Sequence, residues 1–238
     1  MKAFRFLMSG ILMAGAVLLS SCDTVGPQSD SGVARVTLSL VTTGNGTASK
    51  GASQSIDITS AKILLRTIQF HARDDDSGSD SLEFRTAPIV AQLSLDGTPT
   101  ELAVADLPLG SYHKVSFRIH KPDDNEMPPD PDFKIGTSGN ERFSIIVEGS
   151  FNGQPYIYRS SKSMHQIVDF EEDLVIDENT GDANVSLLVN LSEWFVDRNG
   201  QVLDPNDTSK GNESRIDKSI RDSFRAFRDN NRDGRADS

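Results

Sequence analysis

The sequence predicts a mainly β fold, an antiparallel β-sandwich with an amphipathic helix near the C-terminus. Three observations carry this. Apolar and polar residues alternate at period two through most of residues 33–191, turn-forming pairs punctuate the alternation, and helical periodicity enters only after residue 210. Successive side chains of a strand point to opposite faces, so such alternation describes strands buried on one side.

The first strand is read from Val36, Leu38 and Leu40, which alternate with Thr37, Ser39 and Val41. Further strands are expected at 61–72, 82–84, 89–95 and 101–104. Val115, Phe117 and Ile119 then alternate with Ser116 and Arg118. Residues 143–151, 156–159 and 173–176 follow, and Val185, Leu187, Val189 and Leu191 alternate with Ser186, Leu188 and Asn190. Between two of these runs, Asn152-Gly153 predicts a tight hairpin, because a type I′ turn needs positive φ at both central residues. Asp96-Gly97 and Thr180-Gly181 mark two further turns. Antiparallel packing of these short strands gives a sandwich over about Val33 to Leu191, with Val115, Phe117, Val185, Leu187 and Val189 inside.

The segment Leu107-Pro108-Leu109-Gly110-Ser111-Tyr112-His113-Lys114-Val115-Ser116-Phe117 resembles the "LPxGxYxxVxF" strand of prealbumin-like (transthyretin-like) sandwich domains found in uncharacterised envelope lipoproteins. The resemblance implies that the glycine turns the chain and that the tyrosine and the apolar residues after it pack inward. It is nearly silent on function.

The N-terminus has a different character. Lys2 and Arg5 precede an apolar run from Phe6 to Leu19, which at about 14 residues is shorter than the roughly 20 that span a bilayer. The Leu19-Ser20-Ser21-Cys22 that follows resembles a bacterial lipobox. The expectation is a cleaved signal peptide over 1–21 and a lipidated Cys22. Residues 22–32 would form a flexible tether and 33–192 the β domain. Cys22 is the single cysteine, so the fold contains no disulfide and that thiol has no internal partner. Acyl chains would hold the protein to a membrane of the cell envelope, the outer membrane being favoured over the inner. Removing 1–21 takes away Lys2 and Arg5 and no acid, which moves the formal charge from −11 to −13. Nucleic acid is not an expected partner of such a chain.

In the C-terminal extension, 193–238, Ile216, Ile220, Phe224 and Phe227 fall on an arc of roughly 80° if helical. The expectation is a helix over about 214–228, with Ser214 and Asp217 as a capping box and the apolar stripe docked near Trp194-Phe195. Arg221, Arg225 and Arg228 suit its C-terminal end. Directly after it, Asp229, Asn231, Asp233 and Asp237 place oxygen side chains at loop positions 1, 3, 5 and 9, with Gly234 at 6 and the Arg235 carbonyl at 7. A hard cation needs such converging oxygens and a sharp bend, so this loop, 229–237, is the candidate Ca²⁺ site. It resembles the DxNxDGxxD loops of dockerin and thrombospondin type 3 repeats, without the acid at position 12; Asp197 or Asp204 is the candidate to complete the shell. The acidic runs at 74–80 and 123–126 read as exposed loops.

Enzyme readings find little support. His71, His113, His120 and His165 are scattered over separate strands, and no HExxH, G-x-S-x-G, Walker or Rossmann pattern occurs. The leading expectation is a non-catalytic envelope lipoprotein presenting a binding or structural module, braced by calcium. The alternative is a glycan- or protein-binding lipoprotein of an uptake or adhesion assembly, for which Tyr156 and Tyr158 on one strand face are a hint. A secreted hydrolase is the third reading.

Overall fold

The structure, a computed structural model, describes residues 32–44, 46–50, 54–73, 82–84 and 87–237. The predicted signal segment, Cys22 and the acidic run 74–80 lie outside the described residues. From Gly32 onward the chain forms one unit.

The strands are β1 (Val33–Thr43), β2 (Ala48–Lys50), β3 (Gln54–Ala72), β4 (Leu82–Phe84), β5 (Ile89–Gln92) and β6 (Thr100–Pro108). After these come β7 (Gly110–Ile119), β8 (Ile145–Phe151), β9 (Gln154–Ser160), β10 (Met164–Ile176) and β11 (Ala183–Asn190). Among the described residues one α-helix, α1 (Lys210–Asp222), precedes β12 (Phe224–Arg228). The mainly β prediction with a C-terminal helix is met. The strands hydrogen-bond in the order β6-β1-β11-β12-β10-β7-β3-β8-β9, with β2, β4 and β5 also paired to β3.

This sheet is mixed, not wholly antiparallel as expected. β1 runs parallel to β11, and β10 runs parallel to β12. Period-two alternation is the same in either direction, whereas strand direction is set by the connections, which for a parallel pair must be long crossovers. β1 and β11 are joined by most of the chain.

The C-terminal expectation also needs correction. The helix ends at Asp222, and Phe224 to Arg228, expected as its last turns, form β12 between β11 and β10. Phe224, Ala226 and Phe227 are buried, and the backbone of β12 completes two ladders, which outweighs continuing a helix. The helix starts four residues earlier than the stripe suggested, capped by Ser209 through the Asn212 amide. Ser214 lies inside the helix, so it is no cap, and Asp217 is buried, accepting from Tyr158 Oη (3.1 Å) and Ser160 Oγ (2.8 Å) on β9. Docking near Trp194 is as expected: its indole Nε1 donates to Ser223 Oγ at 3.0 Å.

Elsewhere local signals and structure agree. Asn152 and Gly153 have φ of 51° and 76°, as the β8–β9 hairpin requires. Between β6 and β7 the chain leaves one edge of the sheet for its middle, and Tyr112 Oη donates back to Pro108 O at 3.0 Å across the corner. Tyr112, Val115, Phe117 and Ile119 point into the core. One contiguous core draws on strands from both ends of the sheet and on Ile216 and Ile220 of α1. Phe117 meets Phe224 of β12 with ring centroids 5.2 Å apart.

Two predictions follow from this packing. Phe117 is 1% exposed, so Phe117→Ala should lower unfolding free energy by about 3–5 kcal/mol in a denaturant titration; a loss under about 1 kcal/mol would contradict the packing. The second concerns Tyr112, Tyr156 and Tyr158, the three tyrosines of the chain, whose phenols burial holds above the ordinary value of 10. The unfolded chain therefore releases these protons first, and stability should be intact below about pH 10 and fall as pH rises above it. The slope is at most about 1.4 kcal/mol per pH unit for each tyrosine. Absorbance of tyrosinate should rise only as the protein unfolds.

Candidate functional site

The candidate calcium loop begins where β12 ends. Asp229 is fully buried, and its carboxylate faces donors on three sides: Ser186 Oγ at 2.6 Å and Gly234 N at 3.0 Å to Oδ2, and Asp233 N at 3.0 Å to Oδ1. Its backbone is equally engaged. Asp229 N donates to Asn184 O, and Asn184 Nδ2 donates to Asp229 O at 2.8 Å. Asn231 Oδ1 accepts from Asp233 N, and Asp233 Oδ1 accepts from Arg235 N at 2.9 Å. Asp237 closes the loop, its amide donating to Arg228 O and its carboxylate accepting from Asn230 N at 3.0 Å.

The loop thus lies over the sheet. Thr37 and Ser39 of β1 and Asn184 and Ser186 of β11 alternate with core residues and so face the far side, yet all four are buried. Arg232 Nη2 donates to Thr37 Oγ1, and Ser39 Oγ donates to Asn184 Oδ1 at 2.8 Å. Gly234, at φ 79°, sits against Val41, where a Cβ would come within 2.9 Å of Val41 Cγ1. Glycine is needed there twice over, for the backbone and for the room. Sequence reasoning placed Thr37, Ser39 and Ser186 on the outer side of half-buried strands, as the polar half of an alternation, and did not single out Asn184. The signal that they are covered is chemical: they are small hydroxyls and an amide, whereas β10 puts His165, Asp169 and Glu171 at such positions.

On its outer side the loop borders an open cleft of about 840 Å³. Asn231, Asp233, Arg235 and Asp237 line it with Glu171, Glu172 and Asp173, which an irregularity in β10 between Asp169 and Leu174 turns outward, and with Arg228. Asp173 is held by Arg73 and by Ser111 Oγ at 3.1 Å, and the Arg73 guanidinium keeps its carboxyl below the usual range. The cleft is an exposed, mostly acidic surface suited to cationic groups, with weak pairwise forces because water screens them. Among the described residues no group of three or more His, Cys, Asp or Glu side chains is arranged to hold a metal.

The structure brings together four of the five candidate residues, Asn231, Asp233, Arg235 and Asp237, around that cleft, and draws the fifth, Asp229, inward. Asp197 and Asp204 are not among its lining residues: Asp197 pairs with Arg215, and the Asp204 carboxylate caps its own turn at Asn206 N. Tyr156 and Tyr158 do share a face, but both are buried edge-on against Phe195, so they form no exposed aromatic row. Asp123, Asp124 and Glu126 form an exposed loop as expected, pinned by Arg66 and Arg142. The histidines, by contrast, are less scattered than their spacing implied, since β3, β7 and β10 are direct neighbours.

No protein-family model and no curated protein matches the chain. Among solved structures, MbnP from Methylosinus trichosporium is similar at a TM-score of 0.39 and 11% identity, over 82% of this chain and 97% of that one. At that level neither residue roles nor activity carry across.

Replacing Asp229 by alanine strands Ser186 Oγ and the Gly234 amide, whereas the Asp233 amide keeps Asn231 Oδ1 as its acceptor. Each unsatisfied group costs about 1–3 kcal/mol, so the variant should lose at least about 2 kcal/mol of stability in calcium-free buffer. Asp233→Ala, at the exposed rim, should cost less than about 1 kcal/mol in the same thermal or urea unfolding assay.

Proposed function

We propose that this chain is a non-catalytic lipoprotein of the cell envelope, anchored through Cys22, whose β-rich body serves as a binding or structural module. The observation that carries this reading is the order of parts at the N-terminus. A charged start, a short apolar run and Leu19-Ser20-Ser21-Cys22 are followed by a breaker-rich stretch, and the folded unit starts at Gly32. Among the described residues no helix is long and apolar enough to cross a membrane. The prealbumin-like sandwich stays part of the proposal: inward packing of Tyr112, Val115 and Phe117 and the corner bond to Pro108 support it. The glycan-binding alternative loses its aromatic argument with the burial of Tyr156 and Tyr158, while a protein partner, and the outer membrane as its location, remain part of the reading.

Calcium binding by the 229–237 loop is the second reading, favoured by the sharp bend at Gly234 and by the side chains of Asn231, Asp233 and Asp237 on one rim. Asp229 would have to serve the ion from a carboxylate already engaged by three donors, so weak affinity is expected, in the roughly 10⁻⁴ to 10⁻³ M range.

Metabolic labelling with a radioactive fatty acid tests the anchor. Wild type should carry label and sediment with membranes, while Cys22→Ser should lose both; label retained on the serine variant, or absent from wild type, would overturn the reading. For calcium, unfolding is followed with the ion in 100-fold excess over its dissociation constant and again with chelator. A gain of about 2.7 kcal/mol is expected, and unchanged midpoints at that calcium concentration would leave the loop purely structural.

A further inference from the structure

On the outer face of the sheet, strand register lines up Arg66 of β3, Arg118 of β7 and His165 of β10 in a single cross-strand row. Like charges directly opposite each other are destabilising. Within the row Arg66 is answered by Asp123 and Glu126, and elsewhere on this face Lys114 stands in register opposite Asp169. Acids are in surplus, 35 against 24 basic residues. Even so, among the described residues Arg118 and His165 have neither an ion-pair nor a hydrogen-bond partner, and both are exposed.

The two side chains also line one cavity of about 250 Å³, together with His120, Ser163 and Met164. No carboxylate lines it, in contrast to the cleft beside the C-terminal loop and to the one between Asp197 and Asp222. Its polar groups are a guanidinium, two imidazoles and a hydroxyl. His120 Nδ1 lies 2.5 Å from Lys121 O, and a carbonyl only accepts, so Nδ1 holds a proton and Nε2 is the ring nitrogen left open to a ligand. A donor-rich pocket without a carboxylate suits a multivalent oxyanion: the guanidinium fork bridges two oxygens, and imidazole and hydroxyl groups reach the others.

We propose that the Arg118–His120–Ser163–His165 pocket binds a phosphate group, whether of free phosphate or of a lipid headgroup. The site does not depend on the anchor at Cys22, and its test reads neither lipidation nor calcium. The full chain, purified in neutral detergent, is titrated calorimetrically with inorganic phosphate and, separately, with glycerophosphoglycerol, the water-soluble diester headgroup of an anionic lipid. Saturable binding of at least one is expected. Preference for inorganic phosphate assigns the free anion; equal or tighter binding of the diester assigns the headgroup. Arg118→Gln and His165→Gln should each weaken the binding at least about tenfold, as loss of a charge-assisted contact does. Lys114→Gln, on the same face but opposite Asp169, should leave it unchanged. Unfolding midpoints of the variants should match wild type, since both mutated side chains are exposed. Absence of heat with both probes, or binding equal to wild type in both pocket variants, overturns the proposal.

Discussion

The constraint on which the rest of this fold depends is the pairing of backbone groups along β12. Without it, β11 would carry a row of unpaired N–H and C=O groups along one edge, and β10 would lose its partner at Phe170, although buried backbone groups are almost always paired. Filling that gap takes five residues, Phe224–Arg228, whose alternate side chains also complete the core under Phe117. The helix before the strand and the loop after it are positioned by this insertion. α1 is held by Asp217, Trp194 and Ser223, and the loop is folded back over β1 and β11 by Asp229.

Much of the strand content was legible in the sequence because alternation and turn chemistry are local. Phe117, Val185 and Leu187 point inward as their positions imply, and Asn152-Gly153 makes the turn that only its two positive φ values allow. What was not legible is non-local. Nothing in Val36-Thr37-Leu38 says that the neighbour will be β11 running the same way. The stripe at 216–227 misled for a related reason: Ile216 and Ile220 are helical, while Phe224 and Phe227 lie three apart on a strand and face opposite sides, Phe224 toward the core and Phe227 toward the side of Ser186, so their burial imitates a helical stripe without sharing a face. The first half of β10 escaped notice because Gln166 occupies an inward position and Ile167 an outward one, reversing the expected polarity.

The candidate site shows the same division. Position-by-position spacing located the 229–237 loop and the need for glycine at 234. It could not show that Ser186, some 43 residues away in sequence, would donate to the first carboxylate, or that the loop would have a sheet beneath it. A carboxylate counted from sequence as a metal ligand is, in the fold, first a bracket for the loop's own amides. In the same way the histidines looked unrelated until topology set β3, β7 and β10 side by side.

The position of β12 also bears on time. A chain emerging N-terminus first exposes β1 early, but β1's parallel partner lies about 140 residues later in the sequence, and β12 later still. Contacts at such separation must wait for nearly the whole chain, and their loop-closure entropy is met before they return any stability. Until residues 224–237 are available, β10 and β11 are open edges of the kind that pair with other chains. The protein is therefore most exposed to misassembly during synthesis, and a chaperone that masks β-edges would act best in that interval.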